Sequence, residues 1–194
     1  MQRVCVFCGS RPGSRPDFVA LARKLATSIA ESGAGLVYGG ASVGVMRALA
    51  DAALAAGGQV IGVIPRALVD REVAHAGLTE LRIVETMHTR KAAMEELSDG
   101  FVALPGGFGT LDELFETITW AQLGIHRKPI GLLDTCGFWR PLLSLVEHMV
   151  KEGFIPEDQL DLLLVDTDPT ALLARMRSWV PPRLGPKWTR LEDA

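Results

Sequence analysis

Short apolar runs alternate with amphipathic runs along nearly the whole chain, and this restricts the fold more than any other feature. The apolar runs fall at 3–8, 35–38, 59–64, 80–84, 100–104, 129–133 and 161–165. Each has strand length, and all but 80–84 begin at or adjoin a Gly, Pro or Asp. Between them lie helical patterns, such as 17–31 with Phe18, Leu21, Leu25 and Ile29 on one face. Further helices are expected over 45–56, 87–97, from Thr110 onward and over 139–151. A last one is capped by Asp168 with Pro169 at its first turn. Strands that are apolar throughout are buried on both faces, as in a parallel sheet covered by helices. The expected fold is α/β: a doubly wound, Rossmann-like parallel sheet with helices on both faces. A chain of 194 residues makes one domain, placed at 1–180, with an irregular tail at 181–194.

Composition removes several classes of function. A net charge of -3 gives no basic surface for nucleic acid or an anionic membrane. No apolar run is long enough to span a bilayer, and no leader pattern precedes the first strand. The expected location is cytoplasmic. Three cysteines, an odd number, suit a reducing compartment. Cys5 and Cys8 share a C-x-x-C spacing, but an offset of three along a strand turns them to opposite faces, so a metal or redox pair is not expected. No His/Cys/carboxylate cluster suggests a metal elsewhere.

Ligands of doubly wound sheets bind beyond the carboxyl ends of the strands. Three glycine turns lie on that edge: Gly9-Ser10, Gly39-Gly40 and Gly106-Gly107. Neither of the first two fits G-x-G-x-x-G, and the second strand ends in Tyr38 where a dinucleotide site would want an acid. A nicotinamide or flavin cofactor is therefore not expected, and a mononucleotide fits better. The third turn is the most informative. Pro105, Gly106, Gly107 and Gly109 lead from a buried strand into a helix, whose first amides and positive dipole end make an anion site. On that helix Leu111, Leu114, Phe115, Ile118 and Ala121 form an apolar arc at about 100° per residue. Glu113, Glu116 and Trp120 fall opposite, on a side expected to be wet or covered by a substrate or second subunit. On the preceding helix Arg90 projects from the apolar face of Met87, Ala93, Met94 and Leu97. It either snorkels to the core edge or meets an anion.

These residues resemble a known family. Pro105 to Glu113 matches the P-G-G-x-G-T-x-x-E motif of the LONELY GUY proteins, and Met87-His88-Thr89-Arg90-Lys91 matches their M-H-x-R-K segment. The likeness runs from Val4 to about 141. It implies a modified Rossmann fold, a homodimer, and hydrolysis of the N-glycosidic bond of a cytokinin riboside or AMP-like purine nucleoside 5'-monophosphate, giving free base and ribose 5-phosphate. It assigns catalysis to Arg90 and Glu113. It assigns substrate contacts to Lys91, Gly106, Gly107, Phe108, Gly109, Thr110, Thr119 and Glu72, and the glycine edge adds Gly9, Ser10 and Gly40. No metal or cofactor is implied. Asp112 stands where the family often has Glu, and Ala41 and Arg47 stand where Gly is usual. Many members carry an older lysine decarboxylase label. Decarboxylation of that type uses pyridoxal phosphate on a Schiff-base lysine, and nothing frames Lys91 as that lysine. The competing class is a non-catalytic carrier of a nucleotide or molybdenum cofactor, which would need the glycine turns but neither Glu113 nor Arg90.

Overall fold

The computed structural model describes residues 1–69 and 74–182. The tail expected at 181–194 lies almost wholly outside the described residues. Along the chain run β1 (Arg3–Phe7), α1 (Pro16–Glu31), β2 (Gly35–Tyr38), α2 (Gly44–Ala55), β3 (Val60–Pro65) and a short α3 (Arg66–Val69). There follow β4 (Glu80–Val84), α4 (Met87–Glu96), β5 (Gly100–Ala103), α5 (Phe108–Gln122), β6 (Ile130–Leu133), α6 (Arg140–Lys151), β7 (Leu163–Asp166) and α7 (Pro169–Ser178). The seven strands form one sheet in the order β4-β3-β2-β1-β5-β6-β7, with every pair parallel. The chain starts in the middle, winds outward to β4, then returns through α4 to lay β5 beside β1. That reversal opens a crevice at the carboxyl ends of β1 and β5, where folds of this kind take ligands.

Strand periodicity divides the core in two. Val4 and Val6 of β1 face α1, α2 and α7, packing with Leu25, Ile29, Leu49 and Leu172. Cys5 and Phe7 face the other way, toward Met94 of α4, Leu114 and Ala121 of α5, and Trp139. The cysteines behave as their spacing predicts: Cys5 lies in one core and Cys8 in the other, both as free thiols. Each fully buried Leu or Ile contributes roughly 1.5–3 kcal/mol. The last strand begins two residues later than expected, because 157–162 form a 3-10 turn. Helix α5 starts at Phe108 rather than Thr110.

Two helix details position the site. Thr86 caps α4, taking the Thr89 amide at 3.1 Å while the Thr89 hydroxyl takes the Thr86 amide at 3.0 Å. This reciprocal cap sets the helical phase of Arg90 and Lys91. Helix α5 is rotated from the expected orientation. Its buried residues are Thr110, Glu113, Leu114, Thr117 and Ala121, while Phe115 is 36% exposed and Trp120 half-buried. Glu113 therefore faces the interior, not the wet side. Two contacts allow this: the Thr117 hydroxyl donates to the Glu113 carbonyl at 2.8 Å, and the Glu113 carboxylate lies 3.9 Å from Nη2 of Arg90 on α4.

The far end of that stripe is pinned by His126, which is 5% exposed. Its Nε2 meets the Thr117 carbonyl at 3.0 Å, and its Nδ1 accepts the Lys128 amide at 3.2 Å. The ring lies against Phe101, with Glu95 and Lys128 as its charged neighbours. Burial pushes its pKa down; the Thr117 bond and Glu95 oppose this without reversing it. The neutral ring is thus the folded form, whereas the unfolded chain takes up the proton near about pH 6.5. Stability from this group is complete above that pH and is lost as pH falls toward the lowered folded value. Denaturant midpoints should fall between about pH 7.5 and 5.5, and less steeply in His126→Gln. Equal slopes in the two proteins would contradict this.

Candidate active site

The crevice floor is built from glycine turns packed backbone to backbone. A Cβ on Gly106 would lie 3.0 Å from the Gly9 amide nitrogen and 2.1 Å from the Thr110 hydroxyl, so the turn after β5 fits against the turn after β1 only without a side chain there. The α5 N-terminus opens directly into the crevice, with Gly107 as its N-cap residue and no side chain capping it. Its first amides are free of helical bonds. The Thr110 hydroxyl is buried and has no hydrogen-bond partner among the described residues. A buried hydroxyl without a partner is uncommon. Here it stands at the positive end of a helix, where an anion would be held.

Arg90 enters the same cleft from α4. It is only 6% exposed. Its Nε donates to the Val63 carbonyl at 3.1 Å and its Nη2 to the Gly39 carbonyl at 3.1 Å, at the carboxyl ends of β3 and β2. The same Nη2 lies 3.9 Å from Oε1 of Glu113 on α5. A Cβ on Gly39 would fall 2.1 Å from that Nη2, so the glycine is what lets the guanidinium in. The anionic partner that a buried cation needs is therefore Glu113, with carbonyls sharing the charge. A guanidinium carries more N–H groups than these bonds use, which leaves donors for a ligand. Cys8 also lines the cleft; burial, and then the charge of Glu113, push its thiol pKa up, so it is a neutral wall.

The cleft is lined by Gly9, Ser10, Gly39, Arg90, Gly107 to Thr110 and Glu113, together with Val6, Cys8, Met46 and Met87. Of the residues expected from the sequence, Gly9, Ser10, Arg90, Gly107, Phe108, Gly109, Thr110 and Glu113 meet here, and Gly106 supports the floor. Phe108 is 92% exposed at the mouth. Others land elsewhere. Gly40, with φ 78°, turns away to pack on Ile64 and Leu81, and Gly39 takes the lining place. Thr119 sits on the outer side of α5, its hydroxyl bonded to the Phe115 carbonyl at 2.7 Å. Lys91 is ion-paired to Asp112 and Glu116. Glu72 lies outside the described residues. Gly39, Met46 and Met87 were not singled out as site residues; position at a strand end was the only signal for Gly39.

Fold and site together define a Rossmann-like protein with an anion cradle beside a buried Arg–Glu pair. A family model described as "Possible lysine decarboxylase" matches residues 46–176. The cytokinin riboside 5'-monophosphate phosphoribohydrolase LOG of Oryza sativa subsp. japonica is 46% identical over 180 residues, 93% of this chain and 74% of that protein. The cytokinin riboside 5'-monophosphate phosphoribohydrolase of Rhodococcoides fascians is 49% identical over 176 residues, 90% and 89% of the two chains. The chain belongs to the LONELY GUY family of these proteins. Among solved structures, a molybdenum cofactor carrier protein from Chlamydomonas reinhardtii superposes with a TM-score of 0.69 at 22% identity, over 91% of this chain and 98% of that one. That likeness is one of fold.

The Thr110 hydroxyl gives a direct test of the anion cradle. Thr110→Val keeps the shape and removes a group that has no bond to lose. Stability should be unchanged or slightly raised, while the Kd for ribose 5-phosphate should rise about tenfold, the scale for a hydrogen bond to a charged group. Calorimetric titration and a denaturant midpoint measure the two effects. A destabilised variant with unaltered phosphate affinity would contradict the assignment.

Proposed function

We propose that the protein hydrolyses the N-glycosidic bond of purine nucleoside 5'-monophosphates, of the cytokinin riboside or AMP type, releasing free base and ribose 5-phosphate. The observation that carries this reading is the Arg90–Glu113 pair, 3.9 Å apart and buried beside an open helix N-terminus. The phosphate sits over Gly107 to Thr110, where unpaired amides and the helix dipole meet it. Glu113 lies one turn further along α5, a spacing that brings the ribose within its reach. As the bond from C1' to the base nitrogen breaks, its electrons leave with the base, and the sugar becomes cationic. The Glu113 carboxylate stabilises that cation and orients the water whose oxygen bonds to C1'. One water proton ends on the base and the other stays on the new C1' hydroxyl. Arg90 fixes the carboxylate and offers its remaining N–H groups to a ribose hydroxyl.

Among the described residues no group of three or more His, Cys, Asp and Glu side chains is placed to hold a metal ion. Two copies pair, in this reading, through the outer face of α5 and the turn after it, where Phe115 (36%), Leu123 (41%) and Ile125 (63%) are exposed. This is the side opposite Glu113, not the Glu113 side expected from the apolar arc. No helix among the described residues is long and apolar enough to cross a membrane. The free thiols Cys5, Cys8 and Cys136 support a cytoplasmic location. A carrier would have the same fold, but it would not require a buried carboxylate held against an arginine.

Two outcomes are expected from product assays by liquid chromatography. AMP and isopentenyladenosine 5'-monophosphate should be cleaved, and the unphosphorylated nucleosides should not; equal turnover of AMP and adenosine would remove the role of the anion cradle. Glu113→Gln should lower kcat on the order of 10²-fold or more while AMP still binds, because the charge it meets develops only in the transition state. Near-normal turnover would place the chemistry on another group.

A further inference from the structure

Helices α4 and α5 carry the two halves of the charged pair, yet a narrow gap separates them. Its walls include Lys91, Glu95, Glu113, Glu116, Thr117 and Trp120. Long side chains span it at two depths. Inside, Arg90 meets Glu113, with side chains 7% and 10% exposed. Outside, the next residue, Lys91, reaches Glu116 at 3.0 Å and Asp112 at 3.2 Å. Asp112 and Glu116 are one turn apart on α5, and they flank Glu113 in sequence. The Lys91 side chain is 12% exposed and Glu116 is 24% exposed, so this arm of the bridge is poorly screened, whereas Asp112 at 57% is largely in solvent.

We propose that Lys91 is a positioning residue: its bridge to Asp112 and Glu116 sets the spacing of α4 and α5, and with it the approach of Arg90 to Glu113. The inference rests on the N-glycosidase reading of that pair. It differs from a substrate contact, the role that family likeness would give Lys91. Lys91 does not line the cleft that holds Arg90, Glu113 and Thr110. One cation between two carboxylates also leaves a cluster of net negative charge, which repels phosphate. Burial disfavours its charged form, but Glu116 and Asp112 outweigh burial and hold its pKa above the ordinary value, so Lys91 remains a cation. Without it, Asp112, Glu113 and Glu116 would crowd like charges onto one stretch of helix, which pushes Glu113 away from its set position.

The test is steady-state kinetics with AMP on Lys91→Met, Lys91→Arg and Glu116→Gln, each checked for folding by its unfolding midpoint. Lys91→Met should lower kcat about tenfold with KM changed less than about threefold, the pattern of a misplaced group rather than a lost contact. Glu116→Gln should shift kcat in the same direction by a smaller factor, and Lys91→Arg should recover most of it. A rise in KM for AMP at unchanged kcat would overturn the proposal and make Lys91 a phosphate contact. So would Glu116→Gln behaving as wild type while Lys91→Met is inactive. A crystal structure of Lys91→Met serves as a second readout without substrate. There the Arg90 Nη2 to Glu113 Oε1 separation should exceed the native 3.9 Å, and an unchanged separation would contradict the proposal even if the native protein cleaves no nucleotide.

Discussion

A buried guanidinium is the constraint around which this structure is arranged. Arg90 is held by main-chain carbonyls at the ends of β2 and β3 and stands opposite one carboxylate on a different helix. Removing either partner of a buried pair is costly, on the order of 3–5 kcal/mol, because the remaining charge is stranded. Val63 and Gly39 both lie just beyond the last β2–β3 pair, Tyr38 with Gly62, so their carbonyls are open to the guanidinium. The sheet therefore does more than carry the helices: it fixes one of the charged groups directly. The reversal of strand order between β1 and β5 then brings the α5 N-terminus and Glu113 to the same edge.

Close packing of backbone makes this possible. Gly39 leaves the space that Arg90 occupies, and Gly106 lets the turn after β5 fit against the turn after β1. Each glycine replaces side-chain volume with a functional group from elsewhere: a guanidinium in one case, a threonine hydroxyl and a helix N-terminus in the other. The Thr86–Thr89 cap and the Thr117 and His126 bonds act at a further remove. They fix helix phase, and phase decides whether Arg90 and Glu113 point inward.

Much of this could be read from the amino-acid order. Apolar runs bounded by glycine and proline identified the parallel sheet, because strands buried on both faces leave no other pattern. The Pro105 to Thr110 turn marked the anion cradle for a local reason: strand, glycines and helix start are consecutive. Arg90 stood out as a cation on an apolar face. The rotation of α5 was not legible. Thr110, Glu113 and Thr117 repeat at helical spacing as clearly as Leu111, Phe115 and Ile118 do, and an apolar arc cannot show that the polar stripe is the one turned inward. Nor could it show that Thr119 faces outward, that Gly39 rather than Gly40 lines the cleft, or that Lys91 is engaged by Asp112 and Glu116. These depend on contacts between residues far apart in the chain, which periodicity within one helix does not encode.

The central claim is that Arg90 and Glu113 act as one unit, and a double-mutant cycle on single-turnover cleavage of AMP measures this most directly. Groups that work as a unit are strongly non-additive. Arg90→Met and Glu113→Gln should each slow cleavage by about 10²-fold or more, and the double variant should be little slower than the worse single one. If the two losses multiply, the groups act independently, and their 3.9 Å approach has no part in the chemistry.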